Sequence, residues 1–415
     1  METLYTTAAG IDVHRDTLVV SVRKMDDRGK EKVKTKTFTT FHKGIVEMVA
    51  WLDEQDVPIV GLESTGVYWK PAVRVLRSLS PKRVIWVVNP AEVKQVPGRK
   101  TDVTDSQWLS KLVMHGLVSP SFLPPAHLEE LRKLTRFRGT LTSTRSSQKN
   151  RIIKELETAG IKLSGVCSDP LGASGRAMIE ALVEGTLAPS AIADLARGAV
   201  RKKLAEIERA VEAPLSASDR IISRMLLTQL ACTERDIEKL DEQIQVAMMP
   251  CLKEAALLET VPGIEKIIST AVLAEIGPDM SVFDSGKHLT AWAGLCPGSN
   301  ESAGKSKHAP ARKGNKYART ALVQAAWCAV RKKKNCPWKA QFVALSKRCG
   351  PKKAIVAIAR KMLVAIYHML CDKKPYQPPQ SPTLPEKEIS RRVQRHLNAL
   401  AELGVHVTAT IPAKA

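Results

Sequence analysis

This 415-residue chain lacks several features that would direct a reader elsewhere. Its eight cysteines, at 167, 232, 251, 296, 328, 336, 349 and 371, include no C-x-x-C pair and build no compact framework. That argues against a zinc ribbon or a disulfide scaffold and for reduced thiols. The N-terminus METLYTTAAGIDVHRD has no apolar stretch behind positive charge, so no signal peptide is read there. The most apolar late segment, AIVAIARKMLVAIYHML, is broken by Arg360 and Lys361 and falls short of an uninterrupted membrane span. A cytoplasmic protein is expected.

Acids are scarce where cations are dense. The run RKLTRFRGTLTSTRSSQKNRIIK, 132–154, carries eight Lys or Arg, no Asp or Glu and one aromatic, Phe137. Between Ser302 and Cys371 there are 17 Lys or Arg and again no acid. The whole chain sets 64 cations against 42 acids, a net charge of +22, which suits a polyanionic partner whose counterions are released on binding. Nucleic acid leads. A block of one sign repels itself unless an anion neutralises it, so Arg132, Lys133, Arg136, Arg138, Arg145, Lys149, Arg151 and Lys154 are read as phosphate contacts, with the interleaved Ser and Thr adding hydroxyl donors. Leu128, Leu131, Leu134 and Phe137 give the start of this run a helical apolar face. A solvated charged face is the alternative.

With 44% hydrophobic residues the chain can build two or three domain cores. AGIDVHRDTLVVSV, 9–22, and VKTKTFTTF, 33–41, read as the two strands of a hairpin. Phe41, Ile45, Met48, Val49 and Leu52 then recur at helical spacing, VPIVGLES is a buried strand, VYWKPAVRVLRSL a helix and RVIWVVN a strand. The order predicts a mixed sheet with helices on its faces. In it Asp12 falls within the first strand, and Glu63 ends a later one between Gly61 and Gly66. A carboxylate within a buried strand costs several kcal/mol unless paired or metal-bound. Asp12 paired with Arg15 and Glu63 as a plain strand-end residue are the bland alternatives. In GRKTDVTDSQWL, Asp102 and Asp105 share one helix face, which Trp108, Leu109, Leu112 and Val113 continue. An N-cap and an acidic first turn explain such a pair equally well when it is taken alone. Four carboxylates at one sheet edge would instead hold two Mg²⁺, hard cations that prefer oxygen.

The segments GIDVHRD, GLESTGVYWKP and VNPAEVKQVPGRKTDVTDSQWL resemble the N-terminal Asp-Glu-Asp-Asp domain of a group of bacterial insertion-sequence transposases. The resemblance implies a RuvC-like, RNase H-type α/β domain in which Asp12, Glu63, Asp102 and Asp105 are catalytic and bind metal, with Mn²⁺ able to replace Mg²⁺. Arg99 and Lys100 beside the pair are candidate nucleic-acid contacts.

Beyond a glycine-rich stretch at 164–186, read as a flexible break, Leu226, Leu230, Thr233, Ile237, Leu240 and Ile244 alternate by four and three. The stripe fits a short coiled coil and a homo-oligomer, and equally an intrachain helical hairpin. LLETVPGIEKIISTAVLAEIG reads as two helices around a Val-Pro-Gly turn. AWAGLCPGSNESAGKSKHAPARKGNKYARTAL follows, with Lys305, Lys307, Arg312, Lys313, Lys316 and Arg319 as candidate phosphate contacts in a glycine-bearing anion loop.

In the resembling transposases this C-terminal domain carries a nucleophilic serine five residues beyond the proline of a Gly-Leu-x-Pro loop. Here Pro297 leads to Ser302, with Ser299 and Ser306 as alternative registers. No histidine is obviously placed to activate it. The expected layout is a DEDD domain at 1–125, basic helix, linker and coiled coil at 126–250, a mainly helical serine domain at 251–375, and a proline-rich linker with a short amphipathic helix at 376–415. The resemblance further implies DNA as substrate, a covalent phosphoserine intermediate and a structured noncoding RNA as guide. A metal-dependent, structure-selective nuclease that uses water is the runner-up.

Overall fold

The computed structural model describes residues 3–26, 29–64, 66–90, 93, 105–298, 301–302, 305–306, 314–332, 336–378, 386–405 and 407. The chain divides into two compact units, Met1–Ala126 and His127–Ala415.

The first unit is a five-stranded mixed sheet in the order β3-β2-β1-β4-β5. Its elements are β1 (Thr7–Val13), β2 (Thr17–Met25), β3 (Glu31–Thr39), α1 (His42–Glu54), β4 (Ile59–Glu63), α2 (Trp69–Leu79), β5 (Val84–Val88) and α3 (Asp105–Met114). β1, β2 and β3 pair antiparallel, while β1, β4 and β5 run parallel. This is the expected RNase H-like sheet, with one correction. Residues 9–22 are not a single strand. The exposed polar trio His14, Arg15 and Asp16 interrupts the alternation and closes a hairpin, with His14 N donating to Thr17 O, so three strands form a meander.

Strand parity gives the sheet two separate cores. Ile11, Val13, Leu18, Val20 and Leu62 face α1 and α2, where Met48, Leu52, Val73 and Leu76 meet them. Ala8, Ile59 and Val88 point the other way, toward Leu109, Leu112 and Val113 of α3.

Among the described residues the regular elements of the second unit are helices and one two-stranded ribbon. Two long helices, Ala126–Thr158 and Ala217–Met248, run antiparallel. Arg138 near the start of the first pairs with Asp241 near the end of the second, and Ile152 and Leu156 share a core with Leu227 and Leu230. The second helix starts on a capping box in which Ser216 and Asp219 bond each other's backbone. Leu230, Thr233, Ile237 and Ile244 are buried within the chain, which is the hairpin reading of that stripe.

The glycine-rich 164–186 is structured. Helix Ala173–Glu184 and its neighbours bury Cys167, Leu171, Met178, Ile179 and Leu182. Its glycines serve close packing and a C-cap. A Cβ on Gly175 would lie 2.1 Å from Pro170 O, and Gly185 ends the helix in the left-handed region at φ 71°. Helix Pro351–Asp372 is long and apolar enough to cross a membrane, yet it is a core helix here. Ile355, Ile358, Met362, Leu363 and Ile366 are buried among the neighbouring helices.

Candidate functional site

β1 and β4 lie side by side with Gly10 opposite Gly61 and Ile11 opposite Leu62, so the parallel register carries Asp12 alongside Glu63. The face they share follows from the glycines. A Cβ on Gly10 would stand 2.3 Å from Ser106 O and 2.4 Å from Ser110 N, and one on Gly61 would meet Val113 Cγ2 at 2.4 Å. Gly10 and Gly61 therefore lie under α3, and two residues further on Asp12 and Glu63 face the same side. α3 runs antiparallel to β1. Its last carbonyl, Met114 O, accepts from Leu4 N and Tyr5 N, while Ser106 stands over Gly10. Asp105, in its first turn, is thus brought to the end of the sheet where Asp12 and Glu63 stand.

A buried polar seam fixes that helix. Ser21 Oγ and Ser106 Oγ are 2.8 Å apart, Arg23 donates to Ser110 Oγ and to Gln107 O, and Arg23 also pairs with Glu31. Ser21, Ser106 and Ser110 are fully buried, so these bonds replace lost water and select one position for α3. Nothing in the local sequence signals this seam, because its bonds to α3 join residues more than 80 positions apart.

His14 Nε2 lies 3.1 Å from Asp12 Oδ2, whereas Arg15 turns to Asp16 at 3.7 Å. The bland Arg15 partner is thereby replaced by a histidine, which alternation alone places on the Asp12 face. Among the described residues, no group of three or more His, Cys, Asp or Glu stands ready to hold a metal. Asp102, Arg99 and Lys100 lie outside the described residues. Asp12, Glu63 and Asp105 at this end of the sheet do not by themselves make such a group; as carboxylates they belong to the donor class that a hard divalent ion prefers.

In the second unit, Glu301–Ser302 pairs antiparallel with Lys305–Ser306, so Ser302 stands opposite Lys305. Ser299, Lys307, Arg312 and Lys313 lie outside the described residues. The base of this segment is pinched. Asn315 N donates to Trp292 O at 3.0 Å, and a Cβ on Gly314 would lie 2.4 Å from Gly294 N. Asn315 then caps helix Lys316–Arg331, accepting from Tyr317 N and Ala318 N. Lys316 is exposed and its Nζ lies 5.0 Å from the Tyr317 ring; Arg319 is half-buried.

The Val-Pro-Gly turn joins helices Leu252–Glu259 and Lys266–Ile276, as expected. Gly263 adopts φ 97°, and a Cβ there would lie 2.5 Å from Ala325 O. The close backbone approach at this turn is therefore to helix Lys316–Arg331.

The basic run divides. Arg132 donates to Ala274 O and Glu275 O, and burial pulls its pKa down to about 10. Arg136 forms a two-pronged pair with Glu275 at 2.7 and 2.8 Å, and Arg138 one with Asp241. Lys133, Arg151 and Lys154 are exposed or half-buried, as are Arg145 and Lys149. Several hydroxyls are engaged as well: Thr135, Thr140, Thr142 and Ser146 donate to carbonyls one turn back in the helix.

A DEDD-type transposase model of the IS110 group matches residues 9–161, and the model of the transposase IS116/IS110/IS902 family matches residues 255–343. The chain belongs to the IS110 transposase family. The match to the first model spans β1, β4 and the start of α3, where the acids gather; the second spans the Val-Pro-Gly turn and the serine segment. The chain is also 35% identical over 149 residues to the pilin gene-inverting protein of Moraxella bovis, and equally to that of Moraxella lacunata. Each alignment covers 34% of this chain and 45% of the relative.

Proposed function

We propose that this family member is a DNA transposase or recombinase that cleaves and rejoins strands through a covalent phosphoserine link to Ser302. The convergence of Asp12, Glu63 and Asp105 at one end of the sheet, on the face that α3 covers, carries the reading. With Asp102 they would hold Mg²⁺, or Mn²⁺ in its place. When bound, such ions polarise the phosphodiester and stabilise charge on the oxygens entering and leaving. The chain's own residues supply the rest. Asp12, Glu63 and Asp105 present the oxygen ligands, α3 is locked by its seam, and His14 orients Asp12.

A serine hydroxyl is a weak nucleophile at neutral pH and needs activation. Ser302 Oγ attacks phosphorus, its proton passes to a base or to water, and the bond to the departing 3′ or 5′ oxygen breaks. Lys133, Arg145, Lys149, Arg151, Lys154, Lys316 and Arg319, together with Arg99, Lys100, Lys305, Lys307, Arg312 and Lys313, are assigned to phosphates. Sequence choice is assigned to a structured noncoding RNA guide, since a lysine- and arginine-rich helix with one aromatic suits tracking phosphates rather than stacking on bases. A homo-oligomer working in the cytoplasm completes the proposal.

The test is incubation of the full chain with terminal-sequence DNA, the cognate RNA and Mg²⁺, followed by a denaturing gel. A protein–DNA adduct is expected from wild type, Ser299→Ala and Ser306→Ala, and none from Ser302→Ala. Cleavage without adduct in wild type would favour the water-using nuclease.

A further inference from the structure

Glu275 is a deeply buried acid, its side chain 2% exposed at the end of helix Lys266–Ile276. Three side chains from two other elements converge on it. Arg136 of the basic helix clasps both oxygens, Arg132 approaches Oε2 at 3.5 Å, and Asn315 Nδ2 donates to Oε2 at 2.6 Å. Arg136 also stacks over the Tyr317 ring at 4.1 Å. Asn315 closes the segment bearing Ser302, since its backbone holds Trp292 O, its neighbour Gly314 abuts Gly294, and its Oδ1 starts the next helix. None of these groups takes part in the strand-cleavage chemistry proposed for the acids and the serine.

A buried carboxylate is expensive, and hydrophobic packing of equal volume would hold three helices together as well. What the charged cluster adds is direction and distance. A two-pronged guanidinium–carboxylate pair has one geometry, and a single amide bond passes that geometry on to the loop base. We infer that Glu275 and Asn315 are positioning residues: they set the base of the Ser302 segment at a fixed place relative to the basic helix, so that nucleic acid held along the helix presents its phosphate to the serine in register. The inference rests on the serine reading above.

Exchanging the polarity of one bond tests it in the full chain. Asn315→Asp keeps the helix cap, since Asp accepts from N–H groups as Asn does, but faces Glu275 with a second carboxylate. Adduct formation in a single turnover, with terminal DNA, cognate RNA and Mg²⁺, should slow about 100-fold, the scale set by a displacement of roughly 1 Å. DNA and RNA affinities should stay within about 3-fold, small against that factor. Amides between 295 and 316 should exchange faster with deuterium. The double variant Glu275→Gln with Asn315→Asp restores one donor, one acceptor and one negative charge beside Arg136, and should recover both the rate and the protection. If Asn315→Asp does not fold, Asn315→Ser, which caps the helix but is too short to reach Glu275, carries the same expectation without the added charge.

Unchanged exchange and an unchanged rate in the folded variant would overturn the inference. So would a rate that falls only in proportion to lost binding, or a double variant no better than the single one. The serine reading fails separately. An adduct that persists in Ser302→Ala while Asn315→Asp still loosens the loop would sink that reading and leave the hub standing.

Discussion

The carboxylate end of the sheet and the basic helix of the second unit carry opposite charges and are specified in opposite ways. In the sheet, chemistry follows a regular period: Gly10 and Asp12, like Gly61 and Glu63, sit two residues apart on one strand face, and the glycines mark where α3 lies. Alternation alone is enough to locate those acids. In the helix, eight like charges look like one face, yet Arg132, Arg136 and Arg138 turn inward to Glu275 and Asp241, acids more than 100 positions away. A periodic pattern carries its own geometry, whereas an ion pair depends on where a distant acid is placed.

The largest effect that would break this comparison lies at the acids. Asp12→Ala or Asp105→Ala removes an oxygen from the proposed metal site, and several kcal/mol of lost transition-state stabilisation is on the order of 10³-fold in cleavage rate. Nucleic-acid affinity should hold, as measured by gel shift. Wild-type cleavage by the Asp105 variant would return that residue to the role of a favourable charge at a helix start, and by the Asp12 variant would leave Asp12 as the partner of His14.

Next comes the acid inside the basic half. Glu275→Ala leaves Arg132 and Arg136 without their carboxylate, and breaking a buried pair costs about 3–5 kcal/mol. Urea unfolding should show that loss in the second unit. A loss below about 1 kcal/mol would place the two arginines in the range of surface pairs and return them to the phosphate-binding set.

Smaller again is the glycine pair. Gly10→Ala drives a methyl into the α3 backbone at Ser106 and Ser110, while the same change at Gly61 meets a methyl of Val113, a side chain rather than backbone. Overpacking against backbone costs about 1–3 kcal/mol, so Gly10→Ala should lower the melting temperature by several degrees and slow cleavage by shifting Asp105. Gly61→Ala should cost less on both counts. Equal effects would mean that α3 is not held as closely over β1 as the seam implies.

Much of this was legible in the sequence. Apart from the extra turn at His14–Asp16, the succession of strands and helices along the first unit, the α3 stripe and the location of Asp12 and Glu63 on strands and Asp105 on a helix follow from period-two and period-3.6 patterns, whereas which strand lies beside which does not. The apolar stripe of Ala217–Met248 was equally plain, but whether it met another copy or the same chain was not, because the partner helix sits some 60 to 120 residues earlier. The glycines of 164–186 read as a break because a glycine needed for close packing, as at Gly175, looks the same in sequence as one needed for freedom. The serine, by contrast, entered through resemblance, since a Ser in a Gly- and Lys-bearing segment has no spacing that distinguishes a nucleophile from a phosphate contact.

The smallest effect is the one that separates the two kinds of arginine on a single helix. Arg151 reaches solvent on the stretch beyond the Asp241 pair, Arg145 and Lys149 do so in part, and the run 132–154 holds no acid of its own to neutralise them. Replacing all three with Gln should weaken RNA binding and flatten the plot of log affinity against log salt by about 0.7–0.9 for each phosphate no longer neutralised, the share of a counterion released per phosphate. Arg138→Gln removes the same charge from the same helix. Because its guanidinium is already matched by Asp241, the salt slope should hardly move, and the change should appear instead as a fall in stability of about 1 kcal/mol, consistent with a pair that is only partly buried. Fluorescence titrations at several salt concentrations, paired with urea melts, measure both quantities. An Arg138 variant whose slope falls like the others would mean that its ion pair opens to release the cation to phosphate, and the inward and outward arginines would then be one population after all.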